Sequence, residues 1–403
     1  MNTLYLALLG VSTLIALGLV AGLYAGRWGL SHLLVFLALG MLAGVDGPLG
    51  LPFEDHKLAF ALGNIALAMI LLDGGLRTSW ATLRLGLLPA SLLASLGVAV
   101  TALVTGAAAV WALGLPWQHG LLLGAVLSST DAAAVFNRLT HSSVQLPPRL
   151  SATLEVESGL NDPAAVVLTM GLILAITEPQ ALAGPGVGYG SMLLRQAGWG
   201  AVVGLAGAWL MAGLLRRLPI DPSHDGLSAL LLSACGMVVF ALAGLLEGSG
   251  FLAVYLFGLC VARRAQAQVR TALPALNAYT WIAQSGLFLL LGLLVTPHEL
   301  LRLAGPALGV AAALMLVARP LAVALCLAPL GFGLREQLFV AWVGLRGAVP
   351  IVLAAYPVMA GVPGARRFFD VAFVVVIASL LLQGPSMGWL ARRLGLHQGP
   401  PVA

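Results

Sequence analysis

The sequence has very few charged residues. Asp, Glu, Lys and Arg make up only 9% of its 403 residues, whereas 60% are hydrophobic. Soluble domains carry roughly 25% charged residues, so this deficit excludes a chain built from ordinary soluble domains. Because a membrane-spanning helix needs roughly 20 apolar residues, the chain has room for a dozen or more spans. We therefore expect one polytopic, all-α membrane domain.

The chain also lacks the patterns of nucleic-acid binding, disulfide frameworks and common active sites. Its net charge is +5, but the arginines lie in short loops without a basic run or interleaved aromatics, so we expect no nucleic-acid partner. Its three cysteines lie far apart in apolar segments, which excludes the spacing of a metal or disulfide site. No serine and histidine pattern and no paired catalytic aspartates are present, so we expect neither an enzyme nor a cofactor. The cysteines are Cys235, Cys260 and Cys326.

Long apolar stretches separated by short loops predict about thirteen membrane-spanning helices. Sorting Lys and Arg over alternate loops gives thirteen on one side and five on the other. The positive-inside rule then places the N-terminus outside and the C-terminus in the cytoplasm. We expect a transmembrane domain over 1–394 and a short cytoplasmic tail over 395–403, with no regulatory domain. The predicted spans are 4–24, 30–45, 58–75, 86–113, 119–139, 151–176, 191–216, 227–246, 250–264, 273–295, 304–328, 335–358 and 368–391.

Two of these spans contain segments that weaken a helix. Span five has four consecutive hydrogen-bonding residues, Ser128 to Asp131, and span twelve combines two glycines with a proline between Gly344 and Pro350. Irregular backbone at membrane depth is tolerated only where it lines a cavity or is buried in protein. Because the two spans lie at comparable places in the two halves of the chain, we predict an inverted-repeat transporter with paired broken helices.

Span six contains an unexpected row of polar residues. Ser158 and Asp162 are four residues apart and so lie on one helix face. A carboxylate at lipid depth is costly and typical of an ion or proton path. Asp162 offers a carboxylate, and Ser158 and Thr130 offer hydroxyls, to a monovalent metal cation. Because burial favours the protonated acid, one carboxylate that binds either a proton or a cation gives exchange by competition.

Other buried charges predict structural contacts. Arg346 needs a partner at its depth, and Glu157 is the first choice, with Asn161 as an added acceptor; the three would form a clasp between spans six and twelve. Asp131 either belongs to the ion site or neutralises the helix ends at the break in span five. Asp73 either lies in the cation path or pairs with Arg77.

Two further charged residues receive no part in transport. Glu155 lies near the start of span six, and we expect it to be solvated or to cap a loop. Arg319, just before Pro320 in span eleven, is expected to reach the membrane surface or to pair locally.

Three strings of the sequence resemble the monovalent cation:proton antiporter superfamily. SSTDAAAVF, LEVESGLNDPAAVVLT and GLRGAVPIVLA are similar, in this order, to its three signature spans. The Asn161-Asp162 pair resembles the electroneutral branch, which has one Asp where the electrogenic branch has two. Within that branch, strings such as LLDGGLRT resemble the bacterial cell-volume-regulation potassium/proton antiporters most, and the NhaP-type sodium/proton antiporters next.

The resemblance implies a homodimer in the bacterial inner membrane. Each protomer would have a core bundle, spans 4–6 and 11–13, that slides against a dimerisation scaffold. Potassium is the favoured cation, with sodium next, exchanged for one proton without a cofactor. The alternatives are an uncoupled cation channel or leak pathway on the same scaffold, and a sensor or assembly subunit that does not transport.

The resemblance also implies residue roles. Asp162 would bind the ion or proton with Ser158 and Thr130 as ligands, and Asp131 would balance the broken helices. Asp73 stands where NhaP-type proteins usually have Glu in a cation path. The clasp residues would be Glu157, Asn161 and Arg346.

Overall fold

The computed structural model describes residues 2–27, 31–51, 53, 55–141, 144–178, 189–217 and 225–396, and these residues fold into helices without a β-strand. The predicted all-α class is confirmed. The helices are α1 (Asn2–Arg27), α2 (His32–Ala43), α3 (His56–Arg77), α4 (Trp80–Leu92), α5 (Val98–Leu113), α6 (Trp117–Val126), α7 (Ala132–His141), α8 (Pro148–Thr177), α9 (Tyr189–Arg217), α10 (Asp225–Leu245), α11 (Gly250–Arg264), α12 (Gln266–Leu293), α13 (Pro297–Ala313), α14 (Arg319–Leu327), α15 (Leu334–Trp342), α16 (Ala348–Met359) and α17 (Ala365–Arg393).

Nine helical segments within the described residues are long and apolar enough to cross a membrane. Two of these segments, Trp80–Leu113 and Pro297–Leu330, are 34 residues long and join consecutive helices. The helices α2 and α16 are apolar but shorter. These lengths agree with a polytopic membrane protein, while the exact count of thirteen spans stays a prediction.

Both 34-residue segments contain a π-helical turn near their middle. The turns are Leu93–Gly97, between α4 and α5, and Leu314–Ala318, between α13 and α14. The first turn packs against α14 and the second against α5, so the two long segments cross at these turns. A π turn bonds each residue to the fifth one along, which leaves the helix wider and its later residues rotated.

The backbone is not helical over two short, buried stretches. α6 ends at Val126 and α7 begins at Ala132, while α15 ends at Trp342 and α16 begins at Ala348. The two stretches meet, because the amide of Asp131 donates to the Leu345 carbonyl at 2.8 Å. The interpretation of each helix pair as one broken span of an inverted repeat stays a prediction.

The helices contact one another in two groups. One contains α4 to α8 and α13 to α17, and the other contains α1 to α3 and α9 to α12. Between the groups, α8 contacts α3, α9 and α11, and α16 contacts α3 and α12. Within the second group, α3 and α11 approach closely. A Cβ atom at Gly75 would overlap the Tyr255 carbonyl, and one at Gly258 would overlap the Leu72 carbonyl. Small residues at such crossings let helix backbones pack in a membrane.

Candidate functional site

Asp162 lies in the middle of α8, beside the stretch between α6 and α7. Its side chain is buried, and its Oδ1 accepts a hydrogen bond from the hydroxyl of Ser129. Ser129 belongs to the non-helical stretch between α6 and α7, so its side chain can point towards α8 and Asp162. Asp162 also lines a cavity.

Thr130 and Ser158 hold the start of α7 against α8. The Asn161 side-chain amide donates to Thr130 Oγ1, and the Ser158 hydroxyl donates to the Thr130 carbonyl at 3.1 Å. The amide of Ala132 in turn donates to Ser158 Oγ at 3.1 Å. The hydroxyls of Thr130 and Ser158, both predicted as cation ligands, thus take part in hydrogen bonds within the protein. Their role as ligands stays a prediction.

Asp131 lies between the two non-helical stretches. Its Oδ1 accepts a hydrogen bond from the Ala134 amide at 3.0 Å, in the first turn of α7. A Cβ atom at Gly347 would overlap its carboxyl group, so a glycine is needed opposite it. A carboxylate in this position stabilises the positive end of the helix dipole. This geometry favours the second of the two alternatives for Asp131, although the side chain also lines the cavity.

Arg346 binds the backbone at the end of α6. Its guanidinium is buried, and Nη1 donates to the carbonyls of Ser128 and Ser129 at 2.8 and 2.6 Å. Its backbone amide donates to the Ser379 hydroxyl of α17 at 2.9 Å. Carbonyls at a helix C-terminus carry partial negative charge, which compensates the buried cation.

Glu157 pairs with Arg319 and not with Arg346. The two guanidinium nitrogens Nη1 and Nη2 of Arg319 contact the two carboxylate oxygens at 2.6 and 2.9 Å, with both side chains under 5% exposed. The predicted clasp partner was therefore wrong. Glu157 and Asp162 are five residues apart, which is about 140° around the helix, so Glu157 faces α14 while Asp162 faces the non-helical stretches.

The predicted place of Asn161 in the clasp was also wrong. Its side-chain amide donates to Thr130, as described above, and no hydrogen bond joins it to Arg346 among the described residues. Arg319, which was expected to reach the membrane surface or pair locally, is instead a buried partner across helices. The sequence did contain a signal for this pairing. Arg319, like Arg346, lies inside an apolar span, so its buried charge also requires an acidic partner.

A cavity of about 570 Å³ connects Asp162 with the ends of several helices. It brings together four of the predicted site residues, Asp73, Asp131, Ser158 and Asp162, whereas Thr130 and the three clasp residues lie outside its wall. Its wall is formed by the end of α3, the first half of α8 and the middle of α12.

Asp73 pairs with Arg77 and also lines the cavity, while its place in a cation path stays a prediction. Its Oδ2 accepts from Arg77 Nε at 2.8 Å, and Arg77 Nη2 reaches the Asn277 side-chain oxygen of α12 at 3.2 Å. The other oxygen, Oδ1, is buried in the cavity wall and has no hydrogen-bond partner among the described residues. Glu155, expected in solvent or at a loop, is half-buried within α8 in the same wall.

A polar contact joins the two helix groups away from this cavity. The hydroxyl of Tyr356 in α16 donates to the side-chain oxygen of Asn64 in α3. The side-chain amide of Asn64 donates to the Phe60 carbonyl at 2.7 Å, and the rings of Phe60 and Tyr356 meet edge to face at 4.5 Å. Asn64 precedes Asp73 by nine residues, or about 14 Å along α3, so the contact lies on the far side of the site.

Comparison with known families decides the assignment. Residues 12–393 match the family described as "Sodium/hydrogen exchanger, transmembrane". The chain belongs to this family. The resemblance expected from the three signature strings is thereby confirmed, and the chain is a multi-pass membrane protein.

Two curated relatives of this family carry the name K(+)/H(+) antiporter. NhaP of Alkalimonas amylolytica is 47% identical over 98% of this chain and 68% of its own length. NhaP2 of Shewanella oneidensis is 46% identical over 94% of this chain and 65% of its own length. The chain thus spans about two thirds of the length of these relatives.

The fold of the family also agrees with a solved structure. The sodium proton antiporter MjNhaP1 from Methanocaldococcus jannaschii matches with a TM-score of 0.80. The match covers 96% of this chain and 99% of that chain at 23% sequence identity, which supports the fold alone.

Proposed function

We propose that the protein is a secondary antiporter that exchanges a monovalent cation for protons, which compete for Asp162. The observation that carries this proposal is the placement of Asp162. Its carboxylate is buried, has Ser129 on one oxygen and lines the cavity with Asp73 and Ser158. An acid in this position holds a proton when the cation is absent, because burial disfavours an unpaired carboxylate.

Potassium is the proposed cation, with sodium next. Relatives 44–47% identical to this chain are named K(+)/H(+) antiporters, whereas a relative at 29% identity is named a Na(+)/H(+) antiporter. The proposed exchange is electroneutral, one cation for one proton. In support, the residue before Asp162 is the neutral Asn161, which is bonded to Thr130, so one carboxylate serves both ions.

The cavity is proposed to face the cytoplasm in alternating access. In support, the cavity wall includes Arg77 and Thr78 at the end of α3, next to a loop that the predicted topology counts among the arginine-rich ones, and such loops are typical of the cytoplasmic side. The contact between Asn64 and Tyr356 would close the outer side. In this proposal the protein is a homodimer in a bacterial inner membrane, with its N-terminus outside, and uses no cofactor.

The proposal is tested in proteoliposomes that contain a pH-sensitive dye. Potassium, sodium or lithium is added in turn, with and without a clamped membrane potential. Proton movement that follows one cation and is indifferent to voltage is the expected result. Cation flux that follows voltage without proton movement would replace the antiporter by a channel.

Two matched variants test the role of Asp162. Asp162→Asn should reduce exchange to the level of empty liposomes while the protein stays folded. Asp370→Asn, at an acid in α17 outside the cavity, should keep most of the exchange. Full activity of Asp162→Asn would remove this carboxylate from the mechanism.

A further inference from the structure

Tyr255 of α11 packs against the middle of α8. Its side chain is 2% exposed, and it fills the space over Gly159, where an added Cβ atom would overlap the phenol atoms Cε2, Cζ and Oη. Since α11 and α8 belong to different helix groups, the phenol lies at the interface between them. The hydroxyl oxygen is therefore held at the surface of α8, level with Gly159.

The hydroxyl of Tyr255 is buried and has no hydrogen-bond partner among the described residues. The hydroxyl of Thr78 lies close enough to interact with it electrostatically, but the two form no hydrogen bond of ordinary geometry, and Thr78 donates to the Gly74 carbonyl at 2.8 Å. Phenylalanine would pack in the same space without burying an unpaired polar atom. A buried hydroxyl without a partner is rare in native proteins and calls for a specific reason.

The position of the hydroxyl along α8 supplies that reason. Glu155, Gly159 and Asp162 are separated by four and three residues, so they lie on one face of the helix. Tyr255, over Gly159, thus stands between the two carboxylates, and all of these residues line the same cavity. A cation that moved along this face of α8 from Glu155 to Asp162 would come next to the phenol ring.

We propose that the hydroxyl oxygen of Tyr255 is a further cation ligand, which binds the cation on its way to Asp162 and favours potassium over sodium. The inference rests on the exchange proposed above for Asp162. A protonated phenol offers a neutral oxygen, which replaces one water of the cation and leaves the number of exchanged protons unchanged. Because potassium holds its water less tightly than sodium, one neutral oxygen compensates more of its dehydration.

The test compares Tyr255→Phe with the wild-type protein in proteoliposomes. The variant keeps the ring over Gly159 and removes only the oxygen. The apparent KM for potassium should rise at least threefold, the KM for sodium should rise less, and the maximal rate should stay within twofold. An unchanged KM for potassium would overturn the proposal, since a ring that only packs loses nothing in phenylalanine.

Tyr279→Phe is the matched control, because Tyr279 is partly buried in α12 but does not line the cavity. Its KM for both cations should equal that of the wild type. The wild-type protein separates the two proposals. If it moves no protons in response to any cation, the proposed exchange fails; if it does and Tyr255→Phe behaves like it, only the role of Tyr255 fails.

A binding measurement gives an answer that does not depend on transport. Potassium chloride should raise the melting temperature of the detergent-solubilised wild type, because a ligand of the folded state stabilises it. Tyr255→Phe should need at least threefold more potassium for the same shift, with choline chloride as the ionic-strength control. Equal potassium dependence in both proteins would contradict a ligand role for the hydroxyl.

Discussion

Arg319 and Arg346 lie in the same apolar interior but are held in different ways. Arg319 meets the carboxylate of Glu157 with two hydrogen bonds, side chain to side chain. Arg346 meets no carboxylate at hydrogen-bonding distance among the described residues, and instead binds the carbonyls of Ser128 and Ser129. The first contact joins two long side chains that reach from α8 and from the start of α14 across the π turn Leu93–Gly97, against which both helices pack. The second exists only where the two non-helical stretches face each other.

This difference separates stability from the geometry of the site. A buried charge pair is self-contained, and losing one partner leaves the other charge unpaired in the interior. A cation on helix-end carbonyls fixes backbone, and here that backbone carries Ser129, the partner of Asp162. We therefore expect the region around Arg319 to determine whether the protein folds, and the region around Arg346 to determine how well it exchanges ions.

The largest expected effect is the loss of stability in Arg319→Ala. The unpaired Glu157 carboxylate should cost roughly 3–5 kcal/mol, as measured by the melting temperature in detergent. Arg302→Ala, at an exposed arginine of α13, should leave that temperature unchanged. The double variant Glu157→Met with Arg319→Met should recover most of the loss, because it removes both charges. A double variant as unstable as the single one would mean that packing, not charge, is what Arg319 provides.

Arg346→Ala is expected to affect exchange more than stability. Two buried carbonyls lose their donor, which costs about 1–3 kcal/mol. The exchange rate should fall at least tenfold, because the stretch that carries Ser129 is no longer held. Arg346→Lys should recover part of the rate, since the ammonium reaches a carbonyl but lacks the planar fork. If Arg346→Ala is less stable than Arg319→Ala and its folded fraction exchanges ions normally, the proposed division of roles between the two arginines is contradicted.

A smaller effect is expected at the neutral contact between the helix groups. Tyr356→Phe removes the donor to Asn64 and leaves a buried amide oxygen unpaired, which costs about 1–2 kcal/mol. The fall in melting temperature should be less than for either arginine variant, because no charge is exposed to the apolar interior. Tyr279→Phe again serves as the control. A fall as large as that of Arg319→Ala would show that charge is not what separates these sites.

The smallest effect is expected at an exposed pair outside the membrane-spanning helices. Asp46, after α2, accepts from the backbone amide of His298 at 3.1 Å and contacts its ring. The backbone hydrogen bond from His298 lowers the pKa of Asp46. The ionised carboxylate therefore stabilises the fold above its unfolded pKa of about 3.9, and this contribution is lost as the pH falls through the lower folded-state pKa.

Asp46→Asn should accordingly melt slightly below the wild type at pH 7, and the difference should vanish at acidic pH below about 3.9. Melting curves between pH 3 and pH 7 provide the measurement. His298→Gln keeps the backbone donor and should retain most of the pH dependence. A difference between Asp46→Asn and the wild type that grows toward acidic pH would contradict the sign of this linkage.

The sequence predicted the helical membrane fold because lipid imposes a composition that few other folds share. It also located the two non-helical stretches, since four hydrogen-bonding residues at Ser128–Asp131 and the glycines Gly344 and Gly347 stand out in apolar surroundings. Asp162 could be found for the same reason. In each case the residues are of a type that is energetically costly in the interior of a membrane, so the local sequence was enough to identify them as functional candidates.

The pairing of charges could not be predicted in the same way. Glu157 had two buried arginines to choose from, and the choice depends on the rotation of α8 against its neighbours, which no spacing in the sequence reports. The π turn at Leu314–Ala318 sets part of that rotation, yet its residues are ordinary apolar ones. The unpaired hydroxyl of Tyr255 was equally invisible, because an aromatic residue in an apolar helix has the pattern of a core residue.

The π turn before Arg319 also has a consequence for aligning this chain with its relatives. Relative to a regular α-helix, such a turn contains one residue too many, and the residues after it are rotated by about 100°. A chain with a one-residue gap at 314–318 would continue as a plain α-helix. Because the missing residue offsets the missing π turn, its arginine would keep the direction that it has here and still face Glu157. A relative with no gap at 314–318 that formed a plain α-helix there would instead turn its arginine away from Glu157 by about 100°.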